Sequence, residues 1–205
     1  MNRVLIQCGD SLENSCRILT LALQLREAGC VPIVATYTPR YARLFEGHGI
    51  DAVALYRYRP ARTPKFKAIS QELGFWPDAD DLLSLELGRM ALSGRSFDRG
   101  RLTSLTLRSL AAVHRIVNEH EVDRIVVWNG RTGAVANAFR AYKTGKSLPG
   151  GFIERGLIQG ATVFDPHGSN GEASLASGPS SETCTGLLDR HGDAIDRWFP
   201  ATAST

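Results

Sequence analysis

Short apolar runs alternate with longer amphipathic segments along most of this chain. The runs are rich in valine, isoleucine and alanine, which is typical of buried strands. The predicted strands cover residues 3–7, 31–36, 50–56, 124–128 and 150–153, and a further run of the same kind lies at 161–164.

The segments between these runs have apolar residues at helical spacing. After the first strand, Asn14 or Ser15 can cap a helix whose apolar face includes Ile18 and Leu25, and Gly29 can end it. Further helices are predicted at 39–45, 102–120, 132–142 and 186–199. This alternation predicts an α/β fold, a Rossmann-like parallel sheet with right-handed crossovers and helices on both faces.

The organisation of the chain follows from this pattern. We assign residues 1–177 to one Rossmann-like domain, in which residues 57–94 form an excursion that interrupts the alternation of strands and helices. Residues 178–205 are assigned to a Ser/Gly/Pro-rich linker, a C-terminal helix and a tail of small residues.

The excursion begins with a basic and aromatic stretch, YRYRPARTPKFK. Tyrosine and arginine stack on rings and bind negative charge, so this stretch could face an anionic or sugar-containing acceptor. A solvated loop is the other interpretation. Asp78, Asp80 and Asp81 precede an amphipathic segment, where acids favour the helix dipole, and we therefore predict no metal site.

Composition narrows the class of protein. The chain has 205 residues, 43% of them hydrophobic, and a net charge of +3 without a block of basic residues, so nothing calls for nucleic-acid binding. The four cysteines lack metal-ligand spacing and fit a reducing compartment. Neither a signal peptide nor a spanning segment is evident, which predicts a cytoplasmic protein that reaches the inner membrane only peripherally, through partners.

The first strand–helix loop, CGDSLENS, has neither the GxGxxG fingerprint nor a phosphate loop. These absences disfavour a nicotinamide cofactor or a phosphate-loop nucleotide site, and no cofactor is predicted. The loop could still hold a ligand at the helix N-terminus, but a plain capped turn is the favoured interpretation.

Two carboxylates are the candidate catalytic residues. Glu154 and Asp165 each follow a predicted strand and lie near glycines. The carboxyl ends of parallel strands meet at one edge of a sheet, where ligands bind. Paired carboxylates on such loops serve acid–base or nucleophilic steps of sugar transfer, although an ordinary strand–turn–strand has the same pattern.

Polar and glycine residues around these carboxylates are the candidate substrate-binding groups. Asn129 and Arg131 follow the predicted strand at 124–128 across an Asn–Gly turn, and a solvated arginine is the other interpretation. The full set is Asn129, Gly130, Arg131, Gly156, His167, Gly168 and Asn170.

These motifs resemble a known family. The sequence WNGR, then Glu154-Arg155-Gly156, then the loop from Asp165 to Asn170 with Ser174 beyond, is similar to the capsular polysaccharide biosynthesis proteins, including Kdo transferases. The resemblance is clearest over residues 125–175. It departs after Gly156, where Leu157 to Gly160 replace an aromatic residue and an Arg–Pro pair.

The resemblance implies one half of a two-domain glycosyltransferase of the GT-B type. It implies transfer of Kdo from CMP-Kdo to a glycolipid or glycan acceptor, with a second Rossmann-like domain or subunit holding the nucleotide. Two alternatives stay open, a non-catalytic module that binds a glycan or partner, and a nucleotide-binding domain of another kind. Activity of this chain alone is left undecided by the sequence.

Overall fold

The computed structural model of this protein describes residues 2–9, 11–77, 82–83, 87, 98–128, 133–155 and 162–165. Several predicted features lie outside these ranges, namely Asp78, Asp80, Asp81, the linker and the helix at 186–199. No helix within the described ranges combines the length and apolar character needed to cross a bilayer.

Six strands form one sheet. They are β1 Arg3–Gln7, β2 Val31–Thr36, β3 Asp51–Ala54, β4 Arg124–Trp128, β5 Gly150–Arg155 and β6 Thr162–Asp165. Their spatial order is β3-β2-β1-β4-β5-β6, and the first five are parallel. This is the strand order of a Rossmann-like sheet, which confirms the predicted α/β class.

The sixth strand differs from expectation. β6 runs antiparallel to β5, with Phe152 opposite Asp165 and Glu154 opposite Val163. A connection of only a few residues joins the two strands, which is too short for the helical crossover that a parallel pair needs. The expectation that Asp165 ends a strand parallel to β5 is therefore wrong.

Five described helices cover both faces of the sheet. They are α1 Leu12–Glu27, α2 Pro39–Glu46, α3 Phe66–Leu73, α4 Arg99–Glu119 and α5 Ala134–Gly145. One core cluster joins α1 and α2 to the sheet through Ile18 and Phe45. The other joins α3, α4 and α5 to the opposite face through Leu73, Leu110 and Phe139. Helices on both faces are thus confirmed.

Two helices begin where the sequence did not place them. Ser11, rather than Asn14 or Ser15, caps α1, and its side chain accepts a hydrogen bond from the Asn14 amide. α3 lies inside the predicted excursion, with Ile69 and Leu73 buried against α4 and the sheet. The spacing of Phe66, Ile69 and Leu73 is helical, so the signal was present in the sequence.

His114 of α4 lies partly buried beside Tyr142, which belongs to this core. Its Nδ1 lies 3.1 Å from Tyr142 Oη, and its Nε2 lies 3.1 Å from Asn118 Nδ2. Burial lowers the pKa of His114 from 6.5, while Glu72, with Oε1 at 3.9 Å, opposes that change. Burial also raises the pKa of Tyr142 to about 12, so the phenol stays protonated.

The His114→Gln variant should lose part of the protein's acid sensitivity. The folded-state pKa of His114 is below 6.5, so the unfolded chain takes up the proton first as the pH falls. The free energy of unfolding should therefore decrease below pH 6.5 in the wild type and decrease less in His114→Gln. Urea unfolding between about pH 7.5 and 5 measures this. The control variant His48→Gln removes an exposed imidazole, and its free energy of unfolding should decrease with pH as in the wild type. Equal pH profiles in all three proteins would contradict the contribution assigned to His114.

Candidate functional site

The connections of the sheet reverse direction between β1 and β4, and we call the carboxyl ends of these two strands the switch point. β1 and β4 are neighbours at the centre, and the helices that follow them, α1 and α5, pack on opposite faces. Ligands of doubly wound sheets bind outside the carboxyl ends of such a strand pair. Here Gln7, Cys8 and Gly9 stand at the end of β1, and Trp128 ends β4.

A buried polar bridge joins the two strands at the switch point. Gln7 is only 3% exposed; its Oε1 accepts a hydrogen bond from the Trp128 amide at 2.8 Å, and its Nε2 donates to the Cys8 carbonyl at 3.2 Å. Both ends of the side-chain amide are thus satisfied inside the protein. The bridge fixes the carboxyl ends of β1 and β4 relative to each other. No motif in the sequence predicts it.

The loop after β1 approaches α1 closely. A Cβ on Gly9 would lie 2.6 Å from Asn14 Nδ2 and 3.2 Å from Trp128 Cδ1, so a larger residue there would displace the Asn14 side chain. Ser11 Oγ caps the helix, and Ser15 Oγ donates to the Ser11 carbonyl at 2.8 Å. The described part of this loop is therefore a capped turn, the interpretation favoured from the sequence.

All seven of the predicted substrate-binding residues lie outside the described ranges. These are Asn129, Gly130, Arg131, Gly156, His167, Gly168 and Asn170. Trp128 lies directly before the first three, at the carboxyl end of β4. Their proposed binding roles stay predictions.

The structure brings the two candidate carboxylates to one face of the sheet. Residues opposite each other in an antiparallel pair share a face, as do alternate residues of one strand. Asp165 is opposite Phe152, and Glu154 is two positions beyond Phe152, so all three share a face. Phe152 lies in the core cluster of α3, α4 and α5, which identifies that face.

The two carboxylates differ in burial and in height along the sheet. Glu154 is partly exposed near the carboxyl end of β5. Asp165 is 6% exposed and lies below the carboxyl edge, because β6 runs in the opposite direction. They occupy diagonal positions, which places their Cβ atoms roughly 7 Å apart. Glu154 is therefore the carboxylate better placed to meet a ligand at the edge.

A lysine on the same face was not anticipated. The ammonium of Lys143, on α5, lies 5.2 Å from the centre of the Phe152 ring, within the range of a cation–π contact. Burial lowers the pKa of Lys143. Because Phe152 is opposite Asp165, this contact adds a positive charge to the face that carries both carboxylates.

A groove opens on the other face, between α1 and the β5–β6 pair. Its volume is about 320 Å³, within the range of small-molecule sites. Trp128, Ile153 and Phe164 form its apolar walls, and Phe164 is 55% exposed. Arg17 crosses it, with Nη1 at 3.3 Å from Thr162 Oγ1 and Nη2 at 3.2 Å from Glu13 Oε1.

The groove reaches the switch point through Trp128, which lines the groove and ends β4. The groove thus offers an apolar wall and the Arg17 guanidinium near the carboxyl edge of the sheet. Among the residues that the structure describes, no group of His, Cys, Asp and Glu is arranged to hold a metal ion.

Comparison with protein-family models and with curated proteins found no match to this chain.

Proposed function

We propose that this chain is a sugar transferase of surface polysaccharide synthesis, or the acceptor-binding half of one. The observation that carries the proposal is the placement of Glu154 and Asp165 on one face of adjacent strands. A diagonal separation of roughly 7 Å between their Cβ atoms leaves space for a reacting hydroxyl beside Glu154, while Asp165 supports the strand pair that carries Glu154.

The proposed reaction is displacement at the anomeric carbon of a nucleotide-activated sugar, with CMP-Kdo as the donor that the motifs suggest. The acceptor hydroxyl oxygen forms a bond to that carbon, the bond between the carbon and the phosphate oxygen of CMP breaks, and CMP leaves. The hydroxyl proton passes to a carboxylate. Glu154 suits this role because it is partly exposed at the carboxyl end of β5.

Asp165 suits a positioning role. It is 6% exposed and faces the same side as Glu154, so it can act on the arrangement of β5 and β6 without touching the acceptor. The groove beside Trp128 and Arg17 supports binding of a partly apolar ligand such as a glycolipid acceptor. In this proposal the nucleotide is held mainly by a second Rossmann-like domain or subunit.

A non-catalytic module that binds a glycan or a partner is the second candidate. The burial of Asp165 favours it, since a carboxylate within a strand pair can serve the fold alone. A cytoplasmic location and peripheral contact with the inner membrane are part of both proposals.

The isolated chain should bind nucleotides only weakly. The described loop after β1 is a capped turn without a phosphate-cradling glycine motif. Calorimetric titration with CMP, CMP-Kdo and UDP-sugars should give no binding in the micromolar range for the 205-residue chain.

A transfer assay completes the test of the proposal. The chain is incubated with CMP-Kdo and a glycolipid acceptor, with and without a separate nucleotide-binding domain. Transfer that needs this chain supports the enzyme. Acceptor binding without transfer under every condition would favour the binding module, and micromolar CMP binding by the chain alone would contradict the two-domain proposal.

A further inference from the structure

The basic and aromatic stretch after β3 is packed along α4 rather than left as a solvated loop. Arg115 Nη1 donates to the Tyr58 carbonyl at 3.4 Å. Arg108 Nε donates to the Pro60 carbonyl at 2.8 Å. As the stretch advances, its partners on α4 therefore lie earlier in the helix, so the stretch runs along α4 in the opposite direction.

α4 presents a row of arginines to this stretch. Arg101, Arg108 and Arg115 are each seven positions apart, which places them on one side of the helix over roughly 21 Å. The hydroxyls of Thr63 and Ser104 share a hydrogen bond about one turn from Arg101. The stretch therefore follows this row along most of its length.

The two segments bring many cations and no acid to one surface. Residues 57–67 contain five cations and residues 99–118 contain four, and neither range contains an aspartate or a glutamate. The acids that flank α4 are engaged, since Asp98 caps the helix and Glu119 Oε1 accepts from Tyr58 Oη at 3.1 Å. We call the arginines of this surface the basic face: Arg57, Arg59, Arg62, Arg101, Arg108 and Arg115.

The basic face is open to solvent. Four of its arginines are exposed, namely Arg57, Arg62, Arg101 and Arg115. None of these four forms an ion pair within the described part of the chain. Like charges gathered on one surface repel one another, so this surface is stabilised by a partner whose negative charge is spread over an area.

Exposed aromatic side chains stand at both ends of the stretch. Tyr56 is 47% exposed, and the Arg57 guanidinium carbon lies 5.9 Å from the centre of its ring. Trp76 is 64% exposed, and the centre of its ring lies 6.0 Å from that of Phe66. Tryptophan and tyrosine beside basic residues are typical of surfaces that lie against lipid headgroups.

We propose that the basic face binds the surface of an anionic lipid membrane. Such a leaflet offers negative charge over an area rather than at one point, which suits arginines spread along roughly 21 Å of helix. A net charge of only +3 is compatible with this role, because charges farther from the lipid than about 10 Å are largely screened by salt.

This inference rests on the peripheral membrane contact of the proposed function but does not depend on sugar transfer. β3, which leads into the basic stretch, is at one edge of the sheet. Glu154 and Asp165 lie on β5 and β6, toward the other edge. Membrane binding and sugar transfer can therefore be lost separately.

The test is sedimentation of the full chain with phosphatidylcholine vesicles, with and without phosphatidylglycerol. Binding should require phosphatidylglycerol and should weaken as the salt concentration rises. The double variant Arg62→Gln/Arg101→Gln removes two exposed charges of the basic face. It should bind about 25-fold more weakly, since each cation near an anionic leaflet contributes about 5-fold.

Arg40→Gln/Arg43→Gln is the matched control. It removes the same charge from exposed positions of α2, which packs on the opposite face of the sheet from α4. Vesicle binding should change less than about 2-fold, because these charges face away from the lipid. Equal losses in the two double variants, or equal binding to vesicles with and without phosphatidylglycerol, would overturn the proposal.

A single-stranded oligonucleotide at the same salt concentration is the competing anionic probe. Binding of the oligonucleotide that needs Arg62 and Arg101, without binding of vesicles, would overturn the membrane as the partner. Both double variants should melt at the wild-type temperature, because the substituted side chains are exposed. A lower melting temperature of Arg62→Gln/Arg101→Gln with unchanged vesicle binding would assign these arginines to the fold and overturn the proposal as well.

Sugar transfer to a water-soluble acceptor is measured separately with the same proteins. Binding to phosphatidylglycerol vesicles without transfer would contradict the proposed enzyme and support the membrane surface. Transfer without vesicle binding would overturn the membrane surface alone.

Discussion

The Gly150→Ala variant should fail to fold or should lose at least about 4 kcal/mol of unfolding free energy. A Cβ at this position would lie 1.9 Å from the carbonyl oxygen of Ile125, and the residue has φ of +120°. The obstructing atom is backbone and cannot rotate away. The Ile125 amide also bonds the Pro149 carbonyl at 2.9 Å, so relief would require separating β4 from β5.

Gly29→Ala is the matched control for Gly150→Ala. Gly29 also has a positive φ, +82°, but no atom lies within 4 Å of a Cβ built there. It should therefore cost only about 1–2 kcal/mol, the strain of the left-handed conformation. Denaturant unfolding followed by circular dichroism measures both variants. Similar losses in the two would show that close approach of β4 and β5 is not the cause.

The second large effect is expected on catalysis. Glu154→Gln keeps the shape of the side chain and removes its charge and basicity, so sugar transfer should fall about 100-fold or more. Because Glu154 is partly exposed, the melting temperature of the Glu154→Gln variant should be close to that of the wild type. Asp165→Asn should lower transfer too, but with a loss of stability of roughly 1–3 kcal/mol, since this carboxylate is buried.

Glu121→Gln is the control for these amide variants. Its side chain is 82% exposed and pairs with Arg3 near the amino edge of the sheet. Transfer and melting temperature are measured together for each variant, in the presence of a nucleotide-binding partner domain. Full transfer activity in both Glu154→Gln and Asp165→Asn would dismiss the catalytic assignment and leave the binding module.

The bounds of strands and helices were predictable where the apolar pattern of the sequence matches the element that forms. β4 has the bounds that its apolar run predicts, Arg124–Trp128, and α2 begins at Pro39 as expected of proline in a first helical turn. The direction of β6 could have been predicted, because the few residues between the two apolar runs are too few for the helical crossover of a parallel pair. It was overlooked because a strand has the same alternation whichever way it runs. α3 was overlooked because its eight residues follow a stretch dominated by charge and proline.

The candidate site was only partly predictable. Sequence identified Glu154 and Asp165, but their common face depends on the register that sets Phe152 opposite Asp165. The Gln7 bridge to Trp128 could not be inferred, since it joins residues that are distant in sequence and belong to no motif.

The order of the strands also has a consequence for how the chain folds. Gln7 and Trp128, which join the two central strands, are 121 positions apart. During synthesis β1 can pair with β2 long before β4 has been made. The other edge of β1, which includes Leu5 and Ile6, stays unpaired until then. Pairings of such long range form slowly and leave apolar strand edges open to wrong partners meanwhile. The centre of this sheet, which is its most buried part, is therefore also the part completed late.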